Sequence, residues 1–210
     1  ATYPAIGKFI VYAELQSILR KVLTDSFKSF ADIVIPSESY NFTPQLHMEH
    51  PDAKDRLSKG HMYDLKTSVF EKLPDIFTEE ATESSDCVKV IGLLKNKRVF
   101  RWIKRSYLKT PENFLSYKVF VPHSNGSGAI GEVLSTPVVG QPVVGQPVVG
   151  HTQTFISIGN FALPEEAEHC LKYVKTKFCR TLLGTLKVTQ HNPKKTWTNV
   201  PLQDFSSSSD

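Results

Sequence analysis

The sequence has no stretch of about eighteen consecutive apolar residues and no basic segment leading into an apolar one. It therefore predicts neither a transmembrane helix nor a signal peptide. Cysteine is scarce: Cys87, Cys170 and Cys179 are odd in number and widely spaced, which argues against a disulfide framework and for a reducing, cytoplasmic compartment. No Cys-x-x-Cys or comparable paired spacing supports a zinc site assembled from His47, His50, His61 and Cys87, which read more simply as core or surface residues. Acid is absent over the whole segment from Leu171 to Lys195, where Lys172, Lys175, Lys177, Arg180, Lys187, Lys194 and Lys195 stand unopposed. The chain also begins without Met, as an excised piece of a longer protein would.

At 210 residues the chain fits one ordinary domain or two small ones, long enough to bury a core. Its net charge of +4 hides a division. Residues 1–86 hold nine Lys/Arg against fourteen Asp/Glu, a balance of −5; residues 87–210 hold sixteen against seven, a balance of +9. The basic part suggests a polyanion partner. Nucleic acid is favoured over membrane because no basic amphipathic helix with an aromatic face is present.

Thr154 to Gln190 reads as a strand feeding a long helix. Phe155, Ile156 and Ile158 run up to the breaker pair Gly159-Asn160, and Pro164 with Glu165, Glu166 and Glu168 marks a helix start. Ala167, Leu171, Val174, Phe178, Leu182 and Leu186 then recur at steps of three or four, predicting one apolar stripe to about Lys187. Upstream, residues 11–34 carry Leu15, Ile18, Leu19, Val22, Phe27 and Phe30 near helical spacing, after a leading loop over 1–9. Leu65–Phe70 reads as a strand, and residues 79–86 as an acidic linker. Val88–Leu94 and Val99–Leu108 flank Lys95-Asn96-Lys97 as a β-hairpin, and Tyr117–Val121 is a further strand. Pro137 to His151 is a tandem repeat, PVVGQ-PVVGQ-PVVGH, too short for a solenoid and read as an extended connector whose valines dock on the body. A strand near Trp197–Val200 and a serine run close the chain.

Three motifs bear on chemistry. Gly126-x-Gly128-x-x-Gly131 matches a dinucleotide fingerprint, but the text after it is poor helix former and no acid lies about twenty residues on. A glycine-rich turn, or a backbone cradle for phosphate, stays open. Asp52, Asp64 and Lys66 have the outline of a Mg²⁺-dependent nuclease site, against the plain reading of charged loop text. The hairpin carries Lys97, Arg98, Arg101, Lys104 and Arg105 interleaved with Trp102 and Tyr107, the charge and stacking groups that nucleic-acid contact needs. A solvated basic sheet face is its alternative.

The ordered runs VIGLLKNKRVFRWIKRSYLK, YKVFVPHSNGSGAIGEVLSTPVVG, HTQTFISIGNF, EAEHCLKYVKTKFCRTLLGTLKVTQ and TWTNVPLQDF resemble the C-terminal region of adenine-specific DNA methyltransferases of bacterial restriction-modification systems. Many such enzymes fuse modification and restriction in one polypeptide. The likeness spans Val88 to Asp210 and, more loosely, SFKSFADIV upstream. It implies a target-recognition domain. The Asn-Pro-Pro-aromatic tetrad and the cofactor motifs of the catalytic domain are missing here, so the activity does not carry over, and the PVVG repeat has a copy more than the resemblance leads one to expect.

The resulting expectation is an α+β fold, a mixed or antiparallel sheet with an N-terminal amphipathic helix and a long helix near the C-terminus. An acidic segment 1–86 packs on a basic recognition core 87–210 as one composite domain. The function expected is sequence-specific binding of double-stranded DNA by a chain that is not itself catalytic. It would partner the catalytic methyltransferase domain of its parent, where S-adenosylmethionine, and Mg²⁺ if a nuclease is fused, would act. Lys97, Arg98, Arg101, Lys104 and Arg105 would meet phosphates with Trp102 among them, and Asn125, Gln153 and Gln190 would reach bases or backbone. A metal-dependent nuclease and a non-catalytic protein-binding scaffold are the rival readings.

Overall fold

A computed structural model describes residues 12–81 and 86–206. The leading loop, the middle of the acidic linker and the end of the serine run lie outside them. The chain is α+β. It forms α1 (Ala13–Val22), β1 (Val34–Ile35), β2 (Asn41–Phe42), α2 (Pro44–Glu49), α3 (Ala53–Arg56), α4 (Val69–Lys72), β3 (Cys87–Leu94), β4 (Lys97–Lys104), β5 (Leu108–Lys109), β6 (Tyr117–Pro122), β7 (Val143–Gly145), β8 (Val149–His151), β9 (Phe155–Phe161), α5 (Pro164–Lys175) and α6 (Lys177–Gly184), joined in places by single 3-10 turns. Among the described residues, no helix is long and apolar enough to cross a membrane.

Three sheets organise these elements. β1-β9-β6-β7 is antiparallel throughout, β2 pairs with β5, and β4-β3-β8 is mixed because β8 runs parallel to β3. The β3–β4 hairpin turns on Lys95 and Asn96, both at positive φ (48° and 59°), the conformation that matches strand twist in a two-residue loop. That turn fixes an unbroken register from Leu94↔Lys97 to Cys87↔Lys104. One core lies between the four-stranded sheet and the C-terminal helices: Val119, Val121, Ile156 and Ile158 meet Cys170, Val174, Cys179, Leu182 and Trp197. A second lies under the hairpin, where Val88, Val90 and Ile103 meet Phe42, Leu46, Leu65 and Phe70. Each core draws residues from both sides of the acidic linker.

Several segments depart from the sequence expectation. α1 ends at Val22, where the N–H of Thr24 turns back to the Val22 carbonyl, and Phe30 and Val34 reach the core from a 3-10 turn and from β1. Leu65–Phe70 is not a strand: Leu65, Val69 and Leu73, four residues apart, are all buried, and α4 forms there. The hairpin's second strand stops at Lys104, and Trp197 belongs to a 3-10 turn rather than a strand. The C-terminal helix divides at Thr176, which is extended (ψ 150°) and whose hydroxyl accepts from the N–H of Cys179 as an N-cap. The division rotates the stripe, so Cys179, Leu182 and Leu183 are buried while Phe178 is 42% exposed.

The three repeat copies have three fates. The first is a turn bridged from Thr136 to Gly140; the second becomes β7 on β6; the third becomes β8 on β3, entered through Val148 at φ 61°. Their glycines permit close approach, since a Cβ at Gly145 would lie 2.5 Å from the Phe120 ring and one at Gly150 2.9 Å from Tyr40.

Candidate nucleic-acid interface

Strand alternation gives the hairpin an inner face of Val88, Val90, Val99 and Ile103 and an outer face carrying Lys89, Arg98, Phe100, Trp102 and Lys104. Lys89 lies directly opposite Trp102, with its Nζ 4.9 Å from the ring centroid. Phe100 is 48% exposed beside them. Lys89 and Phe100 were not singled out from the sequence. The signal was there, because a two-residue turn at Lys95-Asn96 pairs every residue with a partner that can be counted off.

Of the five cations expected to face phosphate, Arg98 and Lys104 lie on the outer face, Lys97 and Arg101 alternate to the face of Val90 and Val99, and Arg105 lies beyond β4 in the following 3-10 turn. Arg101 donates to the Glu79 carboxylate at 2.7 Å, and Lys104 pairs with Glu49 at 3.0 Å, so each charge is already offset. Arg105 is folded back onto the Leu108 carbonyl (2.7 Å) and the Thr110 hydroxyl (3.1 Å), with its guanidinium over Phe114. Lys97 is exposed at the hairpin tip, with no partner among the described residues. Arg98 donates from Nη1 to the carbonyl of Gln141 at 2.8 Å and faces no carboxylate among the described residues.

That last bond joins the hairpin to a second basic region. Gln141 and Pro142 line a cleft of about 290 Å³ with Val133, Leu134, Lys175 and Arg180, where α5 gives way to α6. Arg180 is anchored by donating to the Gly131 carbonyl, and Lys172, Lys175 and Lys177 are exposed around it. The two basic stretches of sequence thus meet across the first turn of the repeat.

Asn125 is withdrawn from any outward contact. It is 2% exposed, donates to the Val133 carbonyl, and accepts from Lys187 Nζ (2.9 Å) and Asn192 Nδ2 (2.6 Å). Lys187 is buried with it, and burial lowers its pKa, so it too leaves the basic surface. The glycine-rich loop does form an anion cradle, but the protein fills it: the N–H groups of Ser127 and Gly128 and the Ser127 hydroxyl all donate to the Glu132 carboxylate.

Gln153 lines a cleft of about 410 Å³ with Lys66, Ser68, Glu71, Leu93 and Asn96. Thr67, Leu93 and Gln153 also line the neighbouring cleft of about 350 Å³, which contains His123, Ser124 and His191. There the Ser124 hydroxyl and His191 Nδ1 are 2.7 Å apart, and the two histidine rings stack at 5.1 Å. Burial holds the His123 pKa down. Gln190 is exposed next to this cleft, its carbonyl accepting from the N–H of Asn125.

The carboxylates of the nuclease outline are engaged separately: Asp52 pairs with Arg56 at 3.0 Å, and Asp64 lies 2.8 Å from His61 Nδ1. The histidines of the zinc outline are likewise separately engaged, His47 at the Met62 carbonyl and His50 at the Tyr107 hydroxyl. Among the described residues, no group of three His, Cys, Asp or Glu could hold a metal ion. Comparison with protein-family models, with curated proteins and with solved structures finds no match.

Proposed function

We propose that the chain is a DNA-binding, target-recognition domain, and that duplex DNA lies along a track from the outer face of the β3–β4 hairpin, over the first repeat turn, to the α5–α6 junction. The observation that carries this reading is the Arg98–Gln141 hydrogen bond, which makes one surface of two basic segments some eighty residues apart in sequence. Lys89, Lys97 and Arg98 on one side and Lys172, Lys175, Lys177 and Arg180 on the other are suited to neutralise phosphates, while Phe100 and Trp102 supply apolar area among them. The resemblance to the C-terminal region of adenine-specific methyltransferases favours the same reading. It assigns methyl transfer from S-adenosylmethionine to a catalytic domain that this chain would partner.

The test is salt-dependent binding. For the purified chain and mixed-sequence duplex DNA, log K should fall linearly with log salt, and replacing Lys97, Arg98, Lys175 or Arg180 by Ala should flatten the slope by about 0.9 per lost contact. Arg105→Ala should leave the slope unchanged, since that guanidinium lies off the track, held over Phe114 against Leu108 and Thr110. A variant with Lys97, Arg98, Lys175 and Arg180 all replaced, still folded by circular dichroism, that bound at low salt as well as the parent would move the interface elsewhere.

A further inference from the structure

We infer that Gln141 is a sequence-reading residue, placed to hydrogen-bond a base edge, with adenine its natural partner. This rests on the DNA-binding reading above and adds to it the residue that discriminates. Gln141 is exposed, and its side-chain amide has no partner among the described residues. Its backbone is held from three directions. Arg98 grips its carbonyl at 2.8 Å, and Gly140 before it is at φ 78° in a turn closed by Gly140 N–H to the Thr136 carbonyl (2.8 Å). Pro142 after it is buried. A Cβ at Gly140 would lie 3.3 Å from the Arg98 guanidinium, so the glycine leaves room for the cation beside the turn. A long amide on a fixed backbone loses little further freedom on binding, and Arg98 on one side with Lys175 and Arg180 on the other would set the phosphates that fix its register. Glutamine can pair with adenine through both N6 and N7 in the major groove, which is the geometry a single exposed amide between two cationic arms can use.

The repeat supplies its own control. Gln146 has the same place in the second copy and is also exposed, but it lies at the opposite end of β7, beyond Gly145 and beside Val148, whose N–H donates to the Phe114 carbonyl. The third equivalent, His151, is buried. Chemistry and sequence context are therefore matched at Gln141 and Gln146, and only position relative to the basic track differs.

The experiment is selection from a pool of duplexes with a randomised core, carried out at low salt with the full chain, Gln141→Ala and Gln146→Ala. The parent should enrich a preferred sequence containing adenine. Gln141→Ala should lose about tenfold to a hundredfold of discrimination at one base pair only, with overall affinity for mixed DNA and the salt slope unchanged. Gln146→Ala should match the parent. If the chain binds DNA but Gln141→Ala keeps every base preference, or the parent shows none, the assignment of Gln141 falls and the basic track stands. If the parent does not bind DNA at low salt, both fall together.

Discussion

Lys104 Nζ lies 3.0 Å from a Glu49 oxygen that also accepts the Tyr107 hydroxyl, so one carboxylate holds a cation that the sequence offers to phosphate. Hydrogen bonds from Gln45, Tyr107 and Lys104 lower the Glu49 pKa to about 2. The carboxyl therefore stays ionised wherever binding is measured, and mild acid does not release Lys104. Removing the charge should. Glu49→Gln is expected to strengthen DNA binding at low salt and to steepen the log K against log salt slope by up to about 0.9, read by fluorescence anisotropy. An unchanged slope would show that Lys104 does not reach DNA even when unpaired.

The break at Thr176 redistributes the energetics of the C-terminal helices. Leu182, fully buried, should cost about 2–5 kcal/mol on replacement by Ala. Phe178→Ala, at a side chain turned toward solvent, should cost less than about 1 kcal/mol. Thr176→Ala removes the cap on Cys179 and should cost about 1 kcal/mol. Urea denaturation of the three variants decides the matter: a larger loss at Phe178 than at Leu182 would mean that one continuous helix, with the stripe unrotated, forms in solution.

What was legible in the sequence was local. The apolar runs Val88–Leu94 and Val99–Leu108 on either side of Lys95-Asn96-Lys97 specified the hairpin, and Pro164 with its following acids specified the start of α5, because turn and cap chemistry act over a few residues. Thr176 reads as helix interior because nothing in the spacing of Val174, Phe178 and Leu182 distinguishes a capped restart from a continuation. Counting cations found the basic region but could not say which were offset, since Glu49 and Glu79 come from the distant acidic segment. The same limit hid Asn125, whose loop sequence gives no sign of Lys187 and Asn192 closing over it. Gln141 was invisible for the opposite reason: three nearly identical repeat copies have different places in the fold, set by the strands they meet.

Acid should weaken the fold through His151. The ring is fully buried against Tyr40 and Phe120, with Nδ1 at the Thr152 carbonyl and Nε2 at the Ser157 hydroxyl. Burial lowers its pKa from 6.5 to about 4. Between those values the unfolded chain binds the proton and the native one does not, so stability is fully present above about pH 6.5 and falls by roughly 3 kcal/mol as pH drops toward 4. His123, also lowered, shares part of the window. Unfolding free energies measured across it should flatten markedly in His151→Gln, and an identical pH slope in that variant would mean the native ring is accessible to protons.

Lys118 should produce the corresponding effect in alkali. It is fully buried and meets no carboxylate among the described residues; its Nζ donates to the carbonyls of Asn113 at 2.8 Å and Phe114 at 3.0 Å. Burial lowers its pKa from 10.5 to about 8. Here the native state gives up the proton first, so the cost of burying the charge, about 3 kcal/mol, is fully present below pH 8 and is relieved as pH rises toward 10.5. Other groups oppose this. Burial raises the pKa of the Cys170 and Cys179 thiols and of Tyr40 and Tyr173, whose ionisation in the unfolded chain draws stability down at high pH. The lysine is isolated by comparison with Lys118→Met, which keeps the bulk, removes the charge and leaves two carbonyls unpaired. Opposing groups cancel in the difference. The stability of the parent relative to this variant should rise by about 2 kcal/mol between pH 7 and pH 10. A difference that stays flat across that range would mean that the ammonium keeps an ordinary pKa and that water reaches it in the native state.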